Sequence, residues 1–203
     1  MSGQKHAIRE HVRARRRALP ADAVATAGTA AGALLREFSP YAAATAVIAY
    51  IAAENEIPTS EIIADAVASR RQLYLPRSDG SGKLVAWRPG DLLVRGSGGT
   101  MQPADDTPAT PSAPAIALVP MVAWDRTGTR LGRGGGFYDR LFAALDPEIV
   151  RVGLAYEFQE IEDLPRDPWD VPLHYVITER RVVECGCGDG TRREPLQKGG
   201  LQL

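Results

Sequence analysis

Residues 45–52 read TAVIAYIA, an uncharged run with β-branched side chains at Thr45, Val47, Ile48 and Ile51. A short apolar stretch without polar alternation has the pattern of a strand buried on both faces of a parallel sheet. Thr59 or Ser60 then caps a helix with Ile62, Ile63, Ala66 and Val67 at helical spacing, and Leu73–Pro76 begins another strand. Strand, helix and strand in that order form a βαβ unit. Upstream, the spacing predicts a helix over 4–18, with Ile8 and Val12 on one face and Leu19 closing it before Pro20. Asp22 caps a second, alanine-rich helix that runs to about Glu37.

Downstream, Lys83–Arg88 and Asp91–Arg95 read as a hairpin pair. Residues 96–114, rich in glycine and proline, read as a loop long enough to serve as a lid or binding segment. Ala115–Trp124 is the most apolar strand, followed by Asp125, a glycine-rich turn and a helix from about Phe137 to Leu145. Val152–Tyr156 and Tyr175–Thr178 supply two more strands on either side of an irregular segment, 158–173. The expected class is therefore α/β, a single domain over residues 1–183 with a mostly parallel central sheet flanked by helices. Beyond Glu184 the composition turns to glycine and charge, so 184–203 read as a disordered tail.

The chain has 203 residues, 44% hydrophobic and 24% charged, enough for one sizeable core. Its 24 basic and 25 acidic residues leave a net charge of -1, which gives no general attraction to nucleic acid or membrane. Its longest uncharged runs, 42–53 and 108–124, carry threonine, serine or proline and fall short of the roughly 18 apolar residues of a spanning helix. Residues 1–10 lack the apolar segment of a secretory leader. Cys185 and Cys187 lie too close together to close a long structural loop, which points to a reducing, cytoplasmic setting. A zinc site would need neighbours that His6, His11 and His174, scattered along the chain, do not provide.

Chemistry concentrates in residues 127–140, TGTRLGRGGGFYDR, with glycine at 128, 132, 134, 135 and 136. Glycines let backbone N–H groups turn toward a ligand, and the start of the following helix adds partial positive charge, a combination suited to phosphate. Arg130 and Arg133 supply forked donors for phosphoryl oxygens. Asp139, in the first helical turn, either holds a magnesium ion or compensates the helix dipole. Asp125 orients the loop or assists a metal. The Walker pattern is absent, and the dinucleotide pattern needs glycine where Phe137 stands. In the first helix Lys5, Arg9 and Arg13 stack like charges at a cost of about 0.2–0.5 kcal/mol per pair, tolerable beside an anion or on a solvated face.

The string RLGRGGGFYDR, preceded by VPMVAWD, closely resembles the signature of the 5-formyltetrahydrofolate cyclo-ligase family. Lys5 with Arg9, AAENEIPTSEII at 52–63, LPR at 75–77, GLAYEFQ at 153–159 and VITE at 176–179 fall in that family's order, so the resemblance spans roughly residues 4–183. It implies ATP-dependent closure of 5-formyltetrahydrofolate to the 5,10-methenyl form with release of ADP and phosphate, magnesium being required. The implied enzyme is a cytoplasmic monomer with no nucleic-acid or membrane partner, whose fold belongs to the larger group that includes ribose-phosphate isomerase and CoA transferases.

The resemblance further implies ATP contacts from Lys5, Arg9, Arg130, Gly132, Arg133, Gly134, Gly135, Gly136, Phe137 and Tyr138. Glu56 and Tyr138 become folate contacts, Arg133 and Tyr138 the catalytic pair, and Asp139 the magnesium ligand; Asp170 is a second metal candidate that could equally orient the loop or do neither. Three positions depart from the family's pattern. Gly135 replaces a lysine found in some relatives, Phe137 replaces the first of two tyrosines, and residues 98–103 fit only loosely. Two other readings stand beside the enzyme: a non-catalytic nucleotide- or RNA-binding relative, and an ATP-dependent ligase for another formyl or amide substrate. The first of these predicts loss of Asp139 or Glu56, and both are present.

Overall fold

The computed structural model describes residues 2–77, 82–96 and 99–186. Two helices open the chain, α1 (Ser2–Arg17) and α2 (Ala21–Glu37), bent by 104° from one another. Pro20, not Asp22, is the N-cap of α2; the Asp22 carboxylate instead accepts from the Ala23 N–H at 2.9 Å within the first turn. A short α3 (Ser39–Ala43) leads into β1 (Ala46–Ile48), and α4 (Ser60–Ala68) crosses back to β2 (Gln72–Pro76), realising the βαβ unit with β1 and β2 parallel. Then come β3 (Leu84–Ala86), β4 (Leu93–Arg95), β5 (Met101–Pro103), β6 (Ala115–Pro120), β7 (Ala123–Trp124) and β8 (Arg130–Leu131). The chain continues through α5 (Phe137–Ala144), β9 (Val150–Leu154), β10 (Tyr175–Ile177) and β11 (Val182–Glu184).

Seven strands form one sheet in the order β11-β10-β9-β6-β1-β2-β3. The five central strands run parallel, and β11 and β3 close the two edges antiparallel. Alternate residues of each strand feed opposite faces. Val47, Ile116, Leu118 and Val152 pack with Ala31 and Leu35 of α2 and Ile62 and Ala66 of α4. Ile48, Ala117, Val119 and Val176 pack with Leu141 and Phe142 of α5 on the other side. Burial on both faces is what the uninterrupted apolar pattern of 45–52 called for. No single helix among the described residues is long and apolar enough to cross a membrane.

Several elements depart from the sequence expectations. The strand at 45–52 ends at Ile48, because the Tyr50 hydroxyl donates to the Ile57 carbonyl at 2.7 Å and Thr59 Oγ1 donates to the Tyr50 carbonyl, folding 49–59 into a buried loop. The strand at 115–124 breaks after Pro120, and β7 turns away to pair antiparallel with β8. The hairpin of 83–88 with 91–95 does not form. Leu84 and Val85 are 3% and 1% exposed, so that segment must join the main sheet against β2. β4 pairs instead with β5, inside the stretch read as loop. The supposed tail begins with the last residue of β11 and a buried Cys185, whose N–H donates to the His174 carbonyl at 2.9 Å. Residues 187–203 lie outside the described residues.

Candidate active site

From β1 the chain winds outward to β2 and β3, then returns to β6 on the other side of β1. In a parallel sheet such a reversal leaves a crevice at the carboxyl ends of the two central strands, because their following loops diverge. Here the loop after β1 and the glycine segment after β6 border one cavity of about 640 Å³. Apart from Asp125, the site residues expected from the sequence line it: Lys5 and Arg9 from α1, Glu56 from the β1 loop, Arg130 and Gly132–Gly136, Phe137, Tyr138 and Asp139, and Asp170.

The glycine segment is shaped from both sides. Asp125, buried beneath it, accepts the Thr127 N–H at 2.9 Å, the Thr127 hydroxyl at 2.6 Å and the Thr129 N–H at 3.1 Å on Oδ1, and the Leu164 N–H at 3.1 Å on Oδ2. These bonds use both carboxylate oxygens, so Asp125 organises the turn, and it does not line the cavity. Above the loop, Arg9 Nε donates to the Gly132 carbonyl at 2.8 Å, tying α1 down. Gly134 at φ +103° and Gly136 at φ +60° adopt left-handed conformations open to glycine, and Gly136 leads into α5. Among the described residues, and apart from the adjoining residues of the chain, no atom lies within 4 Å of where a side chain would begin at Gly132 or Gly135.

Opposite the glycines, the β1 loop carries Glu54 and Asn55 at φ +50° and +55°, a conformation non-glycine residues hold only when surroundings impose it. Arg16 imposes it. Its side chain is 1% exposed, and Nε donates to the Glu54 carbonyl at 2.8 Å while Nη1 donates to the Met121 carbonyl at 3.1 Å. Among the described residues Arg16 Nη2 makes no hydrogen bond, and it stands 3.8 Å from Glu56 Oε1 and 3.7 Å from Glu54 Oε2. Glu56 is 7% exposed; Oε2 accepts the Ala53 N–H at 3.0 Å and Oε1 accepts Arg133 Nη2 at 3.1 Å. The two loops therefore meet through Glu56 and Arg133.

Lys5 Nζ donates to Asp167 Oδ2 at 2.6 Å and lies 3.6 Å from Asp170. Arg130 Nη2 donates to Asp139 Oδ1 at 2.6 Å, and Arg130 also donates to the Val171 carbonyl. Tyr138 packs edge-on against Phe137 at 5.2 Å and tilts over Phe142 at 5.8 Å. Burial, reinforced by the charge of Glu56, raises the Tyr138 hydroxyl well above the ordinary tyrosine value. Tyr50, deeper in the wall, is raised for the same two reasons. Both phenols are thus neutral hydrogen-bonding groups at physiological pH, not bases.

For a divalent cation, Asp139 and Asp170 both line the cavity; Asp139 Oδ1 accepts the N–H of Val171, the residue after Asp170, at 3.1 Å, and Asp170 Oδ2 accepts the Asp167 N–H at 2.8 Å. No group of three or more His, Cys, Asp or Glu with metal-binding geometry occurs among the described residues. Magnesium takes one or two carboxylates and completes its shell with phosphate oxygens and water, so this two-carboxylate set beside an anion loop fits it. Asp139 Oδ2 makes no hydrogen bond among the described residues.

Sequence reasoning missed Arg16, Asp167, Tyr50, Trp169 and Arg140. Arg16 had a signal: it sits four residues after the buried Val12, placing an arginine on the apolar face of α1. Trp169 and Arg140 also line the cavity; Arg140 closes the glycine-rich stretch 127–140, whereas only the folded chain brings Trp169 there.

Comparison with known proteins places this geometry. The profile of the 5-formyltetrahydrofolate cyclo-ligase family matches residues 1–179. The chain is 31% identical to the 5-formyltetrahydrofolate cyclo-ligase of Escherichia coli K12 over 180 residues, covering 85% of this chain and 99% of that protein. It is 32% identical to the protein of that name from Mycolicibacterium smegmatis over 148 residues, 68% of this chain and 75% of the relative. The solved structure of Aquifex aeolicus 5,10-methenyltetrahydrofolate synthetase superposes with a TM-score of 0.77 at 27% identity, covering 97% of this chain and 99% of the other. With the family profile spanning nearly all the described residues and the glycine segment, Glu56 and the basic face of α1 gathered on one cavity, the chain belongs to the 5-formyltetrahydrofolate cyclo-ligase family.

Proposed function

We propose that the protein is an ATP- and magnesium-dependent 5-formyltetrahydrofolate cyclo-ligase that forms 5,10-methenyltetrahydrofolate and releases ADP and phosphate. The contact between Arg133 and Glu56 carries this reading, because it sets an anion-binding loop directly beside a buried carboxylate suited to pterin N–H groups. That is where a γ-phosphoryl group and a formyl oxygen must meet.

A formyl group on nitrogen is amide-like, and its oxygen leaves poorly. Attack of that oxygen on the γ-phosphorus, with ADP departing, makes the oxygen part of a phosphate ester and the formyl carbon an electrophile. The 10-position nitrogen then bonds to that carbon and loses its proton. Cleavage of the carbon–oxygen bond releases phosphate and leaves the methenyl bridge. Most of the work is positioning and charge neutralisation, so no protein nucleophile is required.

In this scheme the backbone of Gly132–Gly136 with Phe137, together with Lys5, Arg9 and Arg130, holds the triphosphate. Arg133 turns from Glu56 to follow the transferred phosphoryl group. Glu56 holds the folate, and the neutral Tyr138 orients it by hydrogen bonding. Asp139 and Asp170 would hold magnesium, which supplies positive charge to the phosphate oxygens. Tyr50, Leu75 and Met121 give the cavity an apolar wall that limits water. We further propose a monomer in a reducing, cytoplasmic setting that acts on these small molecules and engages neither nucleic acid nor membrane.

The test is optical: purified protein is mixed with 5-formyltetrahydrofolate and magnesium, with and without ATP. Appearance of the conjugated methenyl chromophore only with ATP supports the reading. Binding of magnesium-ATP without chromophore overturns the folate assignment in favour of another formyl or amide substrate.

A further inference from the structure

Five cationic side chains line the cavity among the described residues. Four have partners: Lys5 with Asp167, Arg9 with the Gly132 carbonyl, Arg130 with Asp139, and Arg133 with Glu56. Arg140 is the fifth. Its side chain makes no hydrogen bond or ion pair among the described residues, and the residue is exposed.

Helical side chains lean toward the helix N-terminus, and because Arg140 sits one turn into α5 this carries its guanidinium over the start of the helix, beside the glycine segment. Its Nη1 lies 3.2 Å from where a side chain on Gly136 would begin, above the left-handed residue that opens α5. Its stem is flanked by Gly82, where a Cβ would stand 3.6 Å from the Arg140 Cβ. A helix start carries partial positive charge, so an uncompensated cation there is electrostatically unfavourable. The same place becomes favourable for arginine once an anion sits between the guanidinium and the exposed amides.

We propose that Arg140 is a phosphate-binding residue of this site, closing the glycine cradle from above over the terminal phosphates of the bound triphosphate. This rests on the ATP-dependent reading above. It adds a contact from α5 to those from α1 and the glycine loop, and it depends on Gly136, since any side chain there would meet the guanidinium.

The test compares wild type with Arg140→Ala and Arg140→Lys. Calorimetry measures binding of magnesium-ATP and of inorganic tripolyphosphate without folate, and steady-state kinetics give KM for ATP and for 5-formyltetrahydrofolate. Loss of one charge-assisted contact predicts about tenfold weaker binding of both phosphate probes by the alanine variant, with recovery in the lysine variant. The KM for 5-formyltetrahydrofolate and the melting temperature stay at wild-type values. Unchanged phosphate binding in a folded alanine variant overturns the proposal. So does a raised KM for 5-formyltetrahydrofolate with ATP unaffected, which would assign Arg140 to the folate carboxylates. If the wild type binds triphosphate but forms no methenyl product, and Arg140→Ala weakens that binding, the cyclo-ligase reading fails while the Arg140 assignment stands.

Discussion

Arg133 Nη2 lies 3.1 Å from Glu56 Oε1, so the loops that leave β6 and β1 are tied across the cavity by one ion pair. The pair joins the proposed phosphate site to the proposed folate site, and a change on either side is felt on the other. Arg133→Ala is expected to raise the KM for ATP. Glu56→Gln raises the KM for 5-formyltetrahydrofolate by about tenfold or more, the scale of a buried charged hydrogen bond. Because both single variants break the same contact, the double variant should lose less than the two effects combined, by a coupling of about 1 kcal/mol. A kinetic double-mutant cycle measures it, and strict additivity would mean the contact plays no part in turnover.

The glycines of the segment divide into two kinds, and alanine scanning should separate them. A Cβ at Gly128 would stand 2.5 Å from the Leu173 carbonyl oxygen, at a φ of +86°. Gly128→Ala should therefore cost about 2–3 kcal/mol or more, visible as a melting temperature lower by several degrees. At Gly135 no atom of the described residues beyond its chain neighbours lies within 4 Å of the same position. Gly135→Ala should melt like wild type and bind magnesium-ATP more weakly, because the added methyl projects where the phosphates are proposed to sit.

Arg16 holds the strained β1 loop from below. Arg16→Met keeps most of the side-chain volume but removes the donors to the Glu54 and Met121 carbonyls and the cation facing Glu54 and Glu56. Breaking a buried charged network on one side costs about 3 kcal/mol, to be read from urea denaturation midpoints. With the loop that carries Glu56 loosened and the facing cation gone, the KM for 5-formyltetrahydrofolate should rise more than the KM for ATP.

A hydrogen bond from Arg13 holds the Glu54 carboxyl below its ordinary value of 4.5. The unfolded chain takes up that proton first as pH falls, so the stabilisation is complete above the unfolded value and is lost as pH drops through the folded one. Glu54→Gln should flatten the fall of melting temperature with acidification below about pH 4.5. The pair is partly exposed, with side chains 26% and 32% accessible, so the effect is small, about 0.5 kcal/mol. Identical acid limbs for the two proteins would show that the pair contributes nothing.

The parallel core was legible because TAVIAYIA lacks alternation, and Val47 and Ile48 are indeed buried on opposite faces. The glycine segment was legible because its glycines and arginines lie close together in sequence and face one cavity. Where β6 ends was not legible, since Met121 and Val122 stay apolar to line the cavity and hydrophobicity does not fall when the strand stops. The partners of β3 and β4 depended on which segment could bury two consecutive apolar residues, a tertiary fact. Arg16 was hidden within the run Arg15–Arg17, whose other two members are exposed. The pairing of Lys5 with Asp167 joins residues 162 positions apart, beyond any local pattern.

Transfer of phosphoryl to the formyl oxygen is the central claim, and isotope tracing tests it most directly. The protein is given 5-formyltetrahydrofolate with the heavy oxygen isotope in its formyl group, magnesium and unlabelled ATP, and the released phosphate is analysed by mass spectrometry. Phosphoryl transfer to the formyl oxygen puts the label into the phosphate in step with methenyl formation. Unlabelled phosphate, with the label released to water, would contradict it.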